Sequence, residues 1–463
     1  MLLPYIIAYL TLTVFVGFWA AMRVKNSSDY LHAGRRIPLF MSSAALFALW
    51  FGSETLFGAS SEFARHGLIG IVEDPFGGAL CLLLFGLIFS RKLYRMNLLT
   101  LGDLYRNRYG PKVEFIASLA MLLTFLGYIA AQLVALGLLL EMVTNLSLSQ
   151  GIILSCCIVA AYTLAGGMWA LSLTDFVQSI LIVLGLAAVL WQLAANSGGL
   201  DTVLNHTEPG FFRMLPEADP QSWLVYLAGW MTISLGSLPS QDIFQRMNAS
   251  NSEKTAVYSF YIGAVLYLII AALPLCIALI ARQLYPEWLA GEVQQLLPRL
   301  VMAHSPFWLQ VLFFGALISA IFSTCSGAIL APASILTENI IKPQLKHKLR
   351  DKHFLLLLRF SVVLIAASGC WMALKRNNIY ALVGESSVLG LVTLLVPMFA
   401  AIYSKKATPT GAALSMICGG AVWYYFAYHT ASSLPALVPG FVASMAGMWL
   451  GNRLKASAPL SDL

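Results

Sequence analysis

The segment Trp50-Phe51-Gly52-Ser53-Glu54-Thr55 interrupts an apolar run that extends from residue 39 to residue 65. A glycine, a serine and a glutamate in the middle of such a run do not fit an unbroken helix in lipid, where every backbone polar group needs a partner. The segment therefore predicts a broken membrane helix whose free carbonyl and amide groups face a ligand or a water-filled cavity. The alternative is a kink without function, since such kinks are frequent in membrane helices.

The composition of the whole chain is typical of a polytopic membrane protein. Hydrophobic residues make up 59% and charged residues 11% of the 463 positions, and the mean hydropathy is +0.78. These values lie outside the range of soluble domains, so the lipid bilayer is the expected environment. The net charge of +7 does not indicate a nucleic-acid partner, because the basic residues occur in short segments between apolar runs.

Apolar runs of about 17–25 residues predict thirteen membrane spans. Numbered span 1 to span 13, they lie at residues 2–22, 39–65, 70–90, 113–143, 149–165, 170–194, 222–240, 256–282, 305–336, 353–374, 379–403, 409–428 and 434–452. The longest gap between spans, Ala195–Gln221, is polar and contains several Gly and Pro residues, as surface loops do. The sequence thus predicts one integral membrane domain, 1–463.

Lysine and arginine predict the orientation of these spans. The odd-numbered gaps and the C-terminal tail hold 21 of the 28 basic residues, and cytoplasmic loops carry such an excess. We therefore expect the N-terminus outside and the C-terminal Leu463 in the cytoplasm of a multi-pass protein of the plasma (inner) membrane.

A second interrupted run predicts an internal repeat. Leu235-Gly236-Ser237-Leu238-Pro239-Ser240 breaks span 7, five spans after the break in span 2. Because five is odd, the second group of five spans enters the membrane from the opposite side, which makes an inverted repeat. The predicted boundaries are an extra N-terminal span at 1–38, a first repeat at 39–194, a second repeat at 222–403 and two C-terminal spans at 409–463.

Span 9 contains the stretch Gly315–Ser334, whose small residues gather on one helix face at about 100° per residue. Adjacent hydroxyls at Ser323 and Thr324 on such a face serve either close helix packing or coordination of a hard cation. Together with carbonyls from a broken helix, they supply about five neutral oxygens. Sodium is the ion that such a set suits.

Three segments resemble the signature of the sodium/solute symporter family, which includes proline permease and the sodium/sugar cotransporters. They are Gly166-Gly167-Met168-Trp169-Ala170-Leu171-Ser172-Leu173-Thr174-Asp175-Phe176-Val177-Gln178, Gln241-Asp242-Ile243-Phe244-Gln245-Arg246 and Ser319-Ala320-Ile321-Phe322-Ser323-Thr324. The resemblance covers essentially the whole chain. It implies an all-α polytopic protein of the leucine-transporter type, with about 13 transmembrane helices, an inverted five-helix repeat and broken helices in spans 2 and 7.

The resemblance also implies where the ions bind. A sodium site would use the side-chain oxygens of Ser323 and Thr324 and the carbonyl oxygens of Ala320, Ser53 and Leu56. Relatives use the aspartate at the position of Asp175 for a second sodium site or an exit path, together with serines of span 9. Here Ser326 remains, whereas Gly327 offers no side chain. The alternative for Asp175 is a carboxylate that stabilises the start of span 6.

Acids within or beside membrane spans are costly and by default functional. In the resembling family, the regions around four such acids and around span 7 face a central substrate cavity. The residues concerned are Glu54, Glu73, Asp74, Trp230, Thr232, Ser237, Ser240, Glu385 and Ser386. The alternative for Glu73, Asp74 and Glu385 is that they are solvated acids at the outer membrane surface. Several acids favour a substrate with an amine or many hydroxyls, although Arg65 near span 2 could meet a carboxylate.

These observations predict a secondary active symporter that imports a small polar organic solute with Na⁺ by alternating access. The expected coupling ion is Na⁺ and no organic cofactor is expected. The seven histidines form no metal-binding pattern and no phosphate-cradling GxxxxGK[ST] motif occurs, so we expect no metal centre and no ATP motor. A sensory or scaffold protein that signals to a partner is the alternative, and an enzyme lacks a recognisable nucleophile and base. Substrate and oligomeric state stay open.

Overall fold

The computed structural model describes residues 27–291, 293–345, 350–430 and 432–454, together with six isolated positions before residue 27. The prediction of span 1 (2–22) and the position of Leu463 lie outside the described residues. The part of the chain that is described is helical, and its isolated β-bridge joins Ile37 and Ser250. There the Ile37 amide donates to the Ala249 carbonyl at 3.0 Å, and the Asn251 amide donates to the Ile37 carbonyl at 2.9 Å.

Helices occupy the positions of predicted spans 2 to 13. Among the described residues, eight helical stretches are long and apolar enough to cross a membrane. They are Glu54–Met96, Pro111–Val143, Leu148–Trp169, Leu171–Asn196, Glu253–Leu284, Phe307–Gln344, Asp351–Ala373 and Ile379–Tyr403. Helices at Pro220–Gly236, Pro409–Tyr428 and Leu437–Leu454 correspond to spans 7, 12 and 13 but do not belong to these eight. The count of thirteen spans therefore stays a prediction.

The break predicted in span 2 is confirmed. Its first half is the helix Leu39–Trp50, and the helix stops at Phe51 and Gly52. The chain resumes as a wide π-helical turn at Glu54–Ala59 and continues as an α-helix at Ser60–His66. The interruption thus coincides with the glycine and the polar residues that predicted it.

The break predicted in span 7 is also confirmed. The helix Pro220–Gly236 ends at a turn, and a second helix, Gln241–Ala249, follows. Pro239 lies between the two helices and has no amide hydrogen to continue the first. A side chain at Gly236 would bring its Cβ to 2.2 Å from the Ser387 carbonyl, so this glycine allows the backbones of spans 7 and 11 to touch.

Gly167 separates spans 5 and 6. The helical stretch Leu148–Asn196 deviates at this residue, where φ is +52° and ψ is −155°. A Cβ here would lie 2.6 Å from the Tyr30 carbonyl. Both the left-handed backbone and the close approach therefore require glycine at this position.

Span 9 lies at the centre of the fold. The most apolar window of the stretch Phe307–Gln344 is 94% buried, whereas the corresponding window of Asp351–Ala373 is 39% buried. The helix Phe307–Ile335 packs against Pro111–Val143 and Leu148–Asn196. Its small side chains allow these neighbours to approach closely on several sides.

Shorter helical segments connect or extend the spans. The α-helical ones are Ser27–His32, Gly78–Leu84, Arg91–Met96, Leu101–Tyr109, Leu200–Asn205, Leu296–His304, Ile379–Gly390 and Val396–Tyr403. Wide π-helical turns occur at Val72–Gly77, Phe85–Ser90, Leu336–Ile341 and Leu391–Leu395. The 3₁₀ segments are Ala33–Arg35, Gly67–Ile71, Pro286–Ala290, Val293–Gln295 and Lys342–Gln344.

Candidate functional site

The hydroxyl pair of span 9 lies against the broken helix of span 2. Thr324 Oγ1 is 2.9 Å from the carbonyl oxygen of Ala48 and 3.0 Å from that of Ala320. A Cβ at Gly52 would approach the Thr324 methyl group to 3.1 Å. Span 9 therefore contacts span 2 at the place where the helix of span 2 stops.

Ser53 and Leu56, the two other residues whose carbonyl oxygens are predicted to bind sodium, are buried directly after the break. Their amides donate to neighbours outside span 9: the Ser53 amide donates to Gln132 Oε1 at 3.0 Å, and the Leu56 amide donates to the Gly52 carbonyl at 3.2 Å. The structure thus joins Thr324 to the first half of span 2 through Ala48, and places Ser53 and Leu56 at the start of its second half.

Asp175 lies beside Ser323, as the resemblance implies, but it also faces a cation. The Ser323 hydroxyl donates a hydrogen bond to Asp175 Oδ1. Arg246 Nη2 is 3.6 Å from Asp175 Oδ2, and the side chains of Arg246 and Asp175 are 2% and 1% exposed. Ser326 is engaged elsewhere, since its hydroxyl lies 2.8 Å from that of Thr163. A buried carboxylate without a partner would be very costly, so the guanidinium compensates Asp175.

Glu54, directly after the break in span 2, and Asp74, at the start of span 3, are both buried, and neutral donors hold both. Glu54 accepts hydrogen bonds from Gln132 Nε2 at 2.8 Å and from the Tyr128 hydroxyl at 3.1 Å. Asp74 accepts from Thr55 Oγ1 at 3.0 Å and from the Tyr267 hydroxyl. The described residues provide neither acid with a Lys, Arg or His within ion-pair distance.

A small cavity of about 50 Å³ lies at the end of the first helix of span 7, between spans 2, 4, 7 and 11. We call it the span 7 break cavity. Three predicted residues, Ser237, Ser240 and Ser386, line it together with Trp50 and Asp242.

Hydroxyl contacts order the polar side of this cavity. The Ser237 hydroxyl is 3.1 Å from that of Ser387, and the Ser240 hydroxyl donates to Asp242 Oδ1 at 2.6 Å. The Ser386 hydroxyl donates to the Leu382 carbonyl at 2.8 Å. Polar atoms of spans 7 and 11 therefore converge where the helix of span 7 is interrupted.

A larger cavity of about 590 Å³ lies at the other end of the same helix. We call it the Glu73 cavity, because this predicted residue lines it together with Glu217, Asp219, Tyr226 and Tyr380. Its volume is in the range of small-molecule pockets.

Trp230 and Thr232 lie on the helix that connects the two cavities. The Trp230 ring contacts those of Phe76 and Tyr226, with centroids 6.3 and 6.4 Å away. The Thr232 hydroxyl donates to the Ala228 carbonyl at 3.0 Å, while its methyl group faces Gly384 of span 11.

Glu385 lines neither of the two cavities. It forms a bidentate ion pair with Arg376, with both N···O distances at 2.6 Å, and accepts from the Tyr428 hydroxyl at 3.3 Å. Arg65 likewise points away from both cavities, because it donates to the carbonyls of Leu289 and Gly291. These two charged residues therefore stabilise helix ends and loops in the described structure.

Sequence reasoning missed several residues of the site. Gln132, Tyr128 and Tyr267 hold the acids, and Asp242, Ser387 and Arg246 lie at or near the break in span 7. One signal was available for Gln132 and Tyr128, which are four residues apart in an apolar helix and thus share a face. The sequence places Arg246 in the loop between spans 7 and 8, whereas the structure buries it.

Comparison with known proteins identifies the family to which the chain belongs. The profile described as "Sodium:solute symporter family" matches residues 30–419. The chain belongs to this family. The membership confirms the resemblance found in the sequence and makes the protein a sodium-coupled symporter of a small solute.

Relatives within the family include transporters of two different solutes. High-affinity choline transporter 1 of Caenorhabditis elegans is 25% identical, and the match covers 88% of this chain and 74% of that protein. High-affinity proline transporter PutP of Bacillus subtilis (strain 168) is also 25% identical, over 93% of both chains. That these relatives are transporters agrees with the expectation that the protein is not an enzyme.

Solved structures confirm the fold. A Na⁺-coupled sialic acid symporter in a substrate-bound, outward-open state, described as revealing a novel Na⁺ site, superposes with a TM-score of 0.86 at 19% identity over 99% of this chain and 98% of that one. Mhp1, a nucleobase-cation-symport-1 family transporter, gives a TM-score of 0.60 at 14% identity over 93% and 95%. These likenesses confirm the predicted leucine-transporter-type fold.

Proposed function

We propose that this symporter imports a small organic cation, an amine or quaternary ammonium compound, together with Na⁺. The observation that carries the substrate class is the lining of the two cavities along span 7. Asp242 lines one, and Glu73, Glu217 and Asp219 line the other, whereas neither lining contains Lys, Arg or His among the described residues. A site of this charge attracts cations and repels simple anions.

Aromatic side chains add to the attraction for a cation. Trp50 and Tyr128 line the span 7 break cavity, and Tyr226 and Tyr380 line the Glu73 cavity. Trp230 lies between the two cavities. The faces of such rings bind quaternary ammonium groups through cation–π contacts.

The relatives support the same class of substrate. Choline is a quaternary ammonium compound and proline is a zwitterion, so both solutes carry a positively charged nitrogen. A carboxylate such as that of proline would find no basic side chain in either lining. We therefore favour a cation that resembles choline over an amino acid.

We place the coupling sodium at the carbonyl oxygens of Ser53, Leu56 and Ala320 and the hydroxyl oxygens of Ser323 and Thr324. The contact of Thr324 with Ala48 and Ala320 supports this position. Sodium there would tie span 9 to the broken span 2 and favour the state in which the Glu73 cavity is open. With the N-terminus outside, as the basic residues indicate, this cavity opens to the exterior.

Thermal unfolding of the purified protein tests the substrate class. Choline, glycine betaine, proline, glucose and acetate are each added with and without Na⁺. We expect choline to stabilise the protein, and only when Na⁺ is present, by about 2.7 kcal/mol at a hundred times its Kd. A sodium-dependent shift with glucose or acetate, and none with choline, would show the proposed class to be wrong.

Uptake into proteoliposomes then tests the site. Trp230→Leu should raise the KM for choline about tenfold, the equivalent of roughly 1.4 kcal/mol of cation–π energy, and Trp230→Phe should raise it less. Glu73→Gln should raise it as well. Glu287→Gln is the matched control, because Glu287 is an exposed acid outside both linings.

A further inference from the structure

A large apolar groove lies between spans 5 and 10, away from the two cavities along span 7. Its volume is about 830 Å³, and Ala161 and Leu164 of span 5 line it together with Leu356 and Phe360 of span 10. The side chains of Leu356 and Phe360 are 66% and 62% exposed, so the groove is open to the surroundings of the protein. We call it the span 10 groove.

The face of span 10 that lines the groove is the face turned away from the rest of the protein. Leu356, Phe360 and Val363 line it and follow one another at intervals of four and three residues, so they share one side of the helix. Leu358 and Val362, on the other side, are buried. In a membrane the groove therefore meets lipid, and its apolar lining fits acyl chains.

Arg359 lines the same groove, although it lies well inside a membrane span. It is eight residues after the start of the helix Asp351–Ala373, which is about 12 Å along the helix axis. The described residues place no acid within ion-pair distance of its guanidinium. An uncompensated charge in a membrane helix is costly and by default functional.

The charge of Arg359 lies within reach of a lipid headgroup. With the N-terminus of the protein outside, span 10 begins in the cytoplasm, and the groove faces the inner leaflet. Helix side chains lean towards the N-terminal end of their helix, and a long arginine extends further in that direction. His353 of the lining and the exposed Arg350 and Lys352 lie at the same end.

From these features we propose that the span 10 groove binds an anionic phospholipid of the inner leaflet, with its phosphate at Arg359 and His353 and its acyl chains on the apolar lining. A guanidinium presents two parallel N–H donors to phosphate oxygens, and the histidine ring supplies another N–H. The described lining contains no acid that would repel the headgroup. Basic pockets between membrane helices on the cytoplasmic side bind such headgroups.

The occupant is a lipid and not a free anion, because the two basic side chains of the groove are accompanied by a mostly apolar lining. A free phosphate would use the basic side chains and leave the rest of the groove exposed. The inference goes beyond the proposed function, since it depends on neither the substrate nor the coupling ion.

The position of the groove connects a bound lipid with the central helix. Spans 5 and 10 both pack against the helix Phe307–Ile335 of span 9. Next to the groove-lining residues of span 5, the Thr163 hydroxyl lies 2.8 Å from that of Ser326 in span 9. A lipid that bridges spans 5 and 10 would hold both against span 9, and we expect it to raise the thermal stability of the protein.

Lipid binding to the purified full-length protein tests the proposal. Delipidated protein in detergent is titrated with phosphatidylglycerol or with phosphatidylcholine of the same acyl chains, and bound lipid is counted by native mass spectrometry. We expect the first phosphatidylglycerol to bind at least about fivefold more tightly than phosphatidylcholine. Equal affinity for the two lipids, or displacement of phosphatidylglycerol by inorganic phosphate, would overturn the proposal.

Arg359→Gln tests where the headgroup binds. We expect the variant to bind phosphatidylglycerol about fivefold more weakly and phosphatidylcholine as before. Arg453→Gln is the matched control, because it removes an exposed positive charge from the last turn of the helix Leu437–Leu454, outside the groove. A parent-like affinity of Arg359→Gln for phosphatidylglycerol would contradict the proposed site.

Ala161→Phe tests where the acyl chains lie. The larger side chain fills part of the groove from span 5 and should weaken the binding of phosphatidylglycerol. Ile153→Phe is the matched control, since Ile153 is 48% exposed on the same helix but outside the groove. Ala161 and Arg359 are both exposed, so neither substitution disturbs the packed core. Unchanged binding in Ala161→Phe would show that the lipid does not enter the groove.

Discussion

Ser323 donates its hydrogen bond to a carboxylate, and this contact distinguishes it from the other hydroxyls of span 9. Thr324 contacts main-chain carbonyls, and Ser326 contacts Thr163. A hydrogen bond to an ionised acceptor is shorter and roughly twice as strong as one between neutral groups. The orientation of Ser323 is therefore the most firmly fixed of the three.

Removal of either proposed hydroxyl ligand should weaken sodium binding. We expect Ser323→Ala and Thr324→Ala each to raise the sodium concentration for half-maximal uptake about tenfold or more, the equivalent of roughly 1.4 kcal/mol for one lost ligand. Sodium-dependent uptake into proteoliposomes is the measurement.

The matched control is Ser368→Ala, because Ser368 lies on the peripheral helix Asp351–Ala373 and donates only to the Leu364 carbonyl. Unchanged sodium dependence in both span 9 variants would mean that the ion binds elsewhere.

At the scale of helices, the two breaks differ in what lies against their glycines. A Cβ at Gly52 in span 2 would meet side-chain atoms, first Gln132 Oε1 at 2.9 Å, whereas a Cβ at Gly236 in span 7 would meet backbone atoms. Gly236 brings the broken end of span 7 onto the backbone of span 11, since a Cβ would meet the Ser387 carbonyl at 2.2 Å. Backbone atoms cannot move aside as the end of a side chain can, so this contact leaves no room for a methyl group. The span 7 break cavity depends on it, because Ser237 and Ser387 face each other there.

Gly236→Ala should therefore separate spans 7 and 11 and abolish most uptake, with a loss of stability on the scale of an overpacked core, about 1–3 kcal/mol. Gly185→Ala is the matched control, because a Cβ at Gly185 would have no neighbour nearer than 3.5 Å. Uptake and thermal unfolding of the two variants are the measurements. Equal activity of both would show that the close approach at Gly236 is dispensable.

The helix breaks could be predicted from the sequence because residues at the break itself cause them. Gly52 and Pro239 interrupt apolar runs, and local backbone chemistry is sufficient to predict both breaks. Pairings between distant segments were not predictable in this way. Arg246 follows a span and was counted as a loop residue, and nothing near it in the chain indicates that Asp175 is its partner. Glu385 was expected either in the cavity or as an acid at the membrane interface, and the tertiary fold pairs it with Arg376.

For the whole molecule, the two cavities at opposite ends of one helix have very different sizes, about 590 and about 50 Å³. Alternating access requires that such cavities open in turn around a central site. In the described structure the Glu73 cavity is by far the larger of the two. Sodium at span 9 should favour this arrangement.

Thiol labelling of the detergent-solubilised protein checks this expectation. Na⁺ should increase the labelling of Tyr226→Cys and decrease that of Ser240→Cys, each measured against the parent protein with its native cysteines. Leu227→Cys is the control, because Leu227 is exposed on the outer surface of the same helix. Labelling that changes in the same direction at residues 226 and 240 would contradict an alternating mechanism.

The fixed guanidinium of Arg246 also has an electrical consequence. The guanidinium stays with the protein and adds nothing to the current, so the charge moved in a cycle is that of the transported ions alone, which is two when one Na⁺ accompanies one monovalent organic cation. A membrane potential of 100 mV contributes about 2.3 kcal/mol per charge. The two charges therefore draw roughly 4.6 kcal/mol, enough for accumulation by about three orders of magnitude before the sodium gradient is counted. A zwitterion carried with the same ion would draw half as much from the voltage.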